Sequence, residues 1–180
     1  KSGPQKIIKD DEFRFYFTTV GVSSVLICGA LLIFDLFSSF GESLRAAIFQ
    51  VVSIITTTGY MSADYDIWPT FAKMILFALF FIGGCSSSTS GSVKCVRILV
   101  AVKLVRRGIS IKLHPNRIAK VTLNDKEIGN DVVINITNFI FTYILMLFGG
   151  FLLISLNGFD FMSSFSAAAT CLGNIGPGFG

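Results

Sequence analysis

The chain has 180 residues, 52% hydrophobic and only 14% charged, with a mean hydropathy of +0.71 and a net charge of +4. An ordinary soluble domain carries about 25% charged residues, so this composition excludes one. The charges are also clumped, and none falls in residues 15–34, 74–93, 132–159 or 161–180.

Crossing a bilayer core of ~30 Å takes roughly 20 helical residues. The first three uncharged runs meet that length. The fourth is rich in Gly, Ser and Ala and reads differently. Residues 1–14 are polar and lack the basic, apolar and small-residue layout of a secretory signal. With no initial Met, the chain is expected to be a piece of a longer protein.

In chain order, a first span is expected over about 13–37. A shorter run at 43–55 follows, ~20 Å as a helix and too short to cross. It ends in the polar string Thr56-Thr57-Thr58-Gly59-Tyr60. The next apolar run, 69–107, is ~58 Å if wholly helical and too long for one span. Gly83-Gly84 and the cluster Ser86, Ser87, Ser88, Thr89, Ser90 and Gly91 are expected to break it inside the bilayer. The competing reading is a kinked helix whose Ser and Thr bond back to their own carbonyls. A P-loop is excluded, because Gly84, Gly91 and Lys94 do not have its spacing. Lys94 and Arg97 are placed near the inner end of the pathway or snorkelling to the interface.

Seven of the 15 basic residues lie at 103–126: Lys103, Arg106, Arg107, Lys112, Arg117, Lys120 and Lys126. Residues 35–73 hold Asp35, Glu42, Asp64 and Asp66 against Arg45 and Lys73. The positive-inside rule puts the basic linker, 108–129, on the cytoplasmic side together with Lys1, Lys6 and Lys9. The apolar flanks explain that charge without nucleic acid. His114, before Pro115, reads as a solvated loop residue. Cys28, Cys85, Cys95 and Cys171 read as small apolar side chains, without disulfide or transition-metal spacing. A second span is expected over 130–156, a short helix over 160–172, and a Gly-centred loop over 173–178.

The two halves repeat. A shift of 117 puts Gly41 on Gly158 and Gly59 on Gly176, each after a long apolar run. A short helix that enters, turns and returns as extended chain is tolerated at membrane depth only when it is buried or lines a watery path. Its C-terminal end favours a cation. Its extended return can offer carbonyl oxygens to a dehydrated ion. Taken alone, residues 56–60 also fit an ordinary interfacial turn.

The carriers FQVVSIITTTGY (residues 49–60), GGCSSSTSGSVKCVR (83–97), LHPNR (113–117) and SAAATCLGNIGPGFG (166–180) resemble the Trk/Ktr/HKT superfamily of potassium transport proteins. The likeness is greatest to its Trk-type membrane subunit. The resemblance implies an all-α integral membrane protein with helix–re-entrant pore loop–helix repeats around a central ion pore. Residues 1–107 resemble its third repeat and 130–180 the first part of its fourth. It implies K⁺ as the transported ion, held by Thr57, Thr58, Gly59, Asn174, Ile175 and Gly176. It also implies a gate formed by the loop from Gly83 to Gly91, although Ser87, Ser90 and Ser92 stand where the family usually has Gly or Ala. The implied partners are the remaining pore repeats, the lipid bilayer of the cell membrane, a second copy of the subunit and a cytoplasmic nucleotide-binding regulatory subunit. A sodium-permeable or sodium-coupled carrier stays open. An intramembrane enzyme is more distant, since no base stands near Ser86–Ser92 in sequence.

Overall fold

The computed structural model describes residues 9–114, 121–124 and 126–179. The expectations for Lys1, Lys6, Arg117, Lys120, residues 115–117 of the LHPNR motif and Gly180 fall outside that range.

Asp10 starts the first helix, α1 (Asp11–Ile33), by accepting hydrogen bonds from the amides of Glu12 and Phe13. These are donors that a helix start leaves unpaired. The helix ends four residues earlier than the expected 37. Asp35 then adopts a left-handed φ of 48° and turns the chain. Ser39 caps the second helix, α2 (Phe40–Ile55), through the amide of Glu42. One face of α2 buries Ala47, Val51, Ile54 and Ile55 in a core shared with Ile27 and Leu31 of α1. This three- and four-residue spacing is that of an amphipathic helix.

The run expected to break does so over a wide interval. Helix α3 (Thr70–Leu79) stops four residues before Gly83, and α4 (Cys95–Leu113) resumes only after Lys94. Three successive bonds between residues three apart, ending on Ile82 N to Leu79 O at 3.0 Å, tighten the end of α3. Helix α4 also runs six residues past the expected limit of 107. Lys112, expected in the linker, is therefore helical, as are Lys103, Arg106 and Arg107. His114 follows it, exposed.

A small antiparallel hairpin, β1 (Thr122–Leu123) with β2 (Lys126–Glu127), was not expected. Two-residue strands carry no readable alternation. Helix α5 (Asn130–Ser155) and helix α6 (Phe161–Gly173) complete the chain, with Asp160 capping α6 through the amides of Met162 and Ser163. α1 and α5 are long and apolar enough to cross a membrane. α5 buries only Leu147 and exposes Phe141, Leu145, Met146, Phe148, Leu152 and Leu153. An apolar surface of that extent suits lipid or further protein, not water. The four cysteines are free. Cys28 and Cys95 are buried, Cys85 lies in the break, and Cys171 is exposed, contrary to the packed position expected for it.

Candidate functional site

Helices α2 and α6 each end in a polar turn, and the two turns share backbone conformation and several hydrogen bonds under the 117-residue shift. Thr57 and Asn174 both take left-handed backbone, with φ of 56° and 52°. Gly59 and Gly176 follow with φ of 76° and 111°. The amide of Thr58 donates to Ser53 O at 2.9 Å, and that of Ile175 donates to Thr170 O at 3.0 Å. Ser53 Oγ donates to Tyr60 O at 2.7 Å, and Thr170 Oγ1 donates to Pro177 O at 2.8 Å. In each repeat one hydroxyl of the short helix thus pins the far end of the extended return. Among the described residues, no hydrogen bond reaches the carbonyl oxygens of Thr57, Thr58, Gly59, Asn174, Ile175 or Gly176. Backbone carbonyls normally find a partner. These six acceptors, without a donor among the described residues, are therefore available to a ligand or to water.

The two returns touch. A Cβ on Gly59 would overlap the carbonyl oxygen of Ile175 and stand 3.2 Å from Pro177 Cδ. Only glycine fits this contact, for space and for φ. Tyr65, fully buried, donates its hydroxyl to Gly178 O at 2.8 Å. Burial pushes its phenol up to about 12, so it remains a neutral donor at physiological pH. Phe179 stacks on Phe80 and meets Tyr65 edge-on, at ring separations of 5.5 and 5.1 Å. The tail of the second return is therefore built into the core of the first repeat.

Residues 80–94 form a closed loop, not a kink. Gly83 N donates to Val93 O at 2.9 Å, and Cys95 N donates to Gly84 O at 3.2 Å. These bonds draw the ends of α3 and α4 together and close the segment between them into a loop. Inside it, Ser90 Oγ accepts from Gly84 N at 2.7 Å and pairs with Ser88 Oγ at 2.7 Å. Ser92 bonds one carbonyl freed at the end of α3, donating to Phe80 O at 2.7 Å. Lys94 does more, donating to Ser86 O and Ser88 O at 2.8 Å each. Lys94 thus grips the loop from within. Arg97 lies over the Phe139 ring at 3.9 Å, a cation–π contact between α4 and α5.

The loop sits against both returns. Gly91 N donates to Thr57 Oγ1 at 3.2 Å, and Ser92 Oγ reaches Gly173 O at 3.3 Å. A Cβ on Gly91 would overlap Gly173 O. The loop and the two returns, treated as separate elements in the sequence, are therefore in direct contact. Ser87 and Thr89 are exposed on the loop.

Several residues of this site were not singled out from the sequence. Ser53 and Thr170 were detectable, since the 117 shift superposes them. Glu12 was not. It stands 74 positions before Ser86, yet accepts from Ser86 N at 2.5 Å and Ser86 Oγ at 2.8 Å. No base stands near the Ser cluster in sequence, and folding brings Glu12 to it. Glu12 accepts from the backbone amide as well as the hydroxyl of Ser86, which holds Ser86 in place.

Comparison with known proteins agrees with this geometry. A family model described as TrkH, cation transport protein, matches residues 17–180. The chain is 40% identical over 138 residues to the Trk system potassium uptake protein TrkI of Halomonas elongata, covering 77% of this chain and 28% of that protein. It is 34% identical over 173 residues to the Trk system potassium uptake protein TrkH of Escherichia coli K12, covering 96% of this chain and 36% of that protein. The crystal structure of the potassium transporter TrkH from Vibrio parahaemolyticus superposes with a TM-score of 0.92 at 32% identity, over 98% of this chain and 38% of that one. The chain spans about a third of the length of these relatives. They are transporters and not enzymes. The helical membrane architecture, the paired short helices with their extended returns, and the match over nearly the whole sequence place this chain in the TrkH family of cation transport proteins.

Proposed function

We propose that this chain supplies two of the pore loops of a potassium-permeable membrane protein and carries that protein's gate. The observation that supports this reading best is the set of six carbonyls, without donors among the described residues, on two touching returns. Rows of such oxygens can replace the hydration shell of K⁺. Thr57, Thr58, Gly59, Asn174, Ile175 and Gly176 are the proposed ligands. The short helices α2 and α6 end at these turns, so their negative dipole ends favour a cation there. The loop from Gly83 to Gly91, with Ser86, Ser87, Ser88, Thr89 and Ser90 between, is the proposed gate. It lies directly against both returns. One repeat and the first part of the next cannot close a pore, so the remaining repeats belong to the full-length protein. A homodimer and a cytoplasmic nucleotide-binding regulatory subunit are the proposed partners, in a multi-pass protein of the cell membrane.

The test is ion flux through the full-length protein in liposomes. K⁺ flux that exceeds Na⁺ flux by about tenfold or more is the expected result, the scale of a filter worth one decade or better. Equal fluxes would replace this reading with a sodium-permeable pathway. Flux strictly dependent on Na⁺ on the same side would indicate a coupled carrier.

The orientation is tested separately. Asp64 lies between α2 and α3, and Lys112 lies in the last turn of α4. Cysteines substituted at these two positions are expected to label with membrane-impermeant reagents from opposite sides, Lys112→Cys from the cytoplasm. Labelling from one side would overturn the assignment of the basic segment to the cytoplasm.

A further inference from the structure

The first turn of α1 is gripped twice. Asp11 Oδ2 forms an ion pair with Lys103 of α4 at 2.6 Å. Asn124, left-handed at the tip of the hairpin, accepts from Asp11 N at 2.8 Å, donates its own amide to Asp11 Oδ2 at 3.3 Å, and donates Nδ2 to Asp10 Oδ2 at 3.2 Å. Lys103 also donates to Thr122 O of the hairpin at 2.8 Å. The next residue of that turn is Glu12, whose carboxylate takes both the amide and the hydroxyl of Ser86. Ser86's remaining polar group, its carbonyl, is held by Lys94. Every hydrogen-bonding group of one loop residue is therefore bonded to a charged side chain, one of them from a different helix.

This arrangement has a mechanical reading. Hydrogen bonds to charged groups are the stronger kind. The loop's own contacts, among Gly84, Ser88 and Ser90, move with it and cannot anchor it. Glu12 is external to the loop, and its turn is fixed by a hairpin outside the helical core. We propose that Glu12 is the positioning residue that holds the loop in its place, and that the Asn124 hairpin sets how firmly it does so. Displacing the hairpin from Asp10 and Asp11 would loosen the turn carrying Glu12 and release Ser86. The face of the molecule bearing the basic segment would then be coupled to the loop through four named residues: Asn124, Asp11, Glu12 and Ser86. This rests on the gate reading above, and the coupling is a bias on a two-state element, not a new contact with the ion.

The experiment uses the full-length protein with Glu12→Ala, Glu12→Gln and Asn124→Ala, and each again on a background lacking residues 86–89. K⁺ flux in liposomes and the labelling rate of Cys85 by a maleimide, followed by mass spectrometry, are the two readouts. Cys85 adjoins Ser86 and is half-buried. Glu12→Ala is expected to raise both flux and Cys85 labelling by roughly tenfold, the scale of a lost bond to a charged group. Glu12→Gln, which keeps one acceptor oxygen, is expected to fall between wild type and Glu12→Ala. Asn124→Ala is expected to raise both less than Glu12→Ala. On the deletion background, Glu12→Ala is expected to leave flux unchanged. A flux rise that persists there would show that Glu12 acts elsewhere. Unchanged flux in Glu12→Ala, where the deletion alone raises flux, would overturn the inference and leave the gate reading standing. If the deletion itself fails to raise flux, the gate reading falls. Cys85 labelling then decides whether Glu12 holds the loop, and an unchanged rate overturns that too.

Discussion

Replacing Gly59 by Ser in the full-length protein is expected to reduce K⁺ over Na⁺ discrimination by roughly tenfold, with smaller loss of total flux. The warrant is local. At φ of 76° any side chain is strained, by about 1–2 kcal/mol. The added Cβ would also overlap the carbonyl oxygen of Ile175. That overlap is with backbone, so no rotamer relieves it. Either Gly59 or Ile175 has to move, and both belong to the proposed ligand set. A distortion worth about 1.4 kcal/mol between two ions is a factor of ten. Gly176→Ser provides the control. Its φ of 111° is as restrictive, but its Cβ would meet nothing closer than Gly59 Cα at 4.0 Å. Gly59→Ser is therefore expected to disturb both returns, and Gly176→Ser chiefly its own. Bi-ionic permeability ratios check both. A ratio unchanged in Gly59→Ser would remove Gly59 from the filter.

Deleting residues 86–89 is expected to raise basal K⁺ flux by about tenfold or more while leaving selectivity within a factor of about two. The deletion removes both bonds of Glu12 and the two carbonyls gripped by Lys94. At about 1.5–3 kcal/mol for a bond to a charged group, reduced here by partial exposure, their sum is enough to hold a loop in one of two states. Selectivity is expected to survive for a reason visible only in three dimensions. The contacts between loop and returns run through Gly91 and Ser92, to Thr57 Oγ1 and Gly173 O, and these residues remain. A fall in flux, or a change in selectivity as large as the change in flux, would make the segment a support of the filter and not a gate.

Much of the architecture was legible in the sequence because the membrane constrains it so strongly. An apolar run either crosses a ~30 Å core or it does not, and backbone polar groups there have to be satisfied within the protein. Residue counts alone therefore separated α1 and α5 from the short α2 and α6. The shift of 117 carried further still. It aligned Thr57 with Asn174, Gly59 with Gly176 and Ser53 with Thr170, pairs that share backbone conformation or bonding in the folded chain. Repeats preserve local geometry, and local geometry is what sequence encodes most directly.

Contacts between distant segments were decided by tertiary structure alone. Nothing in Glu12 or Asn124 marks either as a neighbour of a loop or of a helix start. Their partners lie 74 and 113 positions away and carry no matching period. The close approach of Gly59 to Ile175, the insertion of Phe179 beside Phe80, and the bond from Gly91 to Thr57 belong to the same class. Hydrophobic pattern fixes which face of a helix is buried, but not which partner covers it. A single hydrogen bond between loops leaves no trace in the chain until folding brings its two ends together.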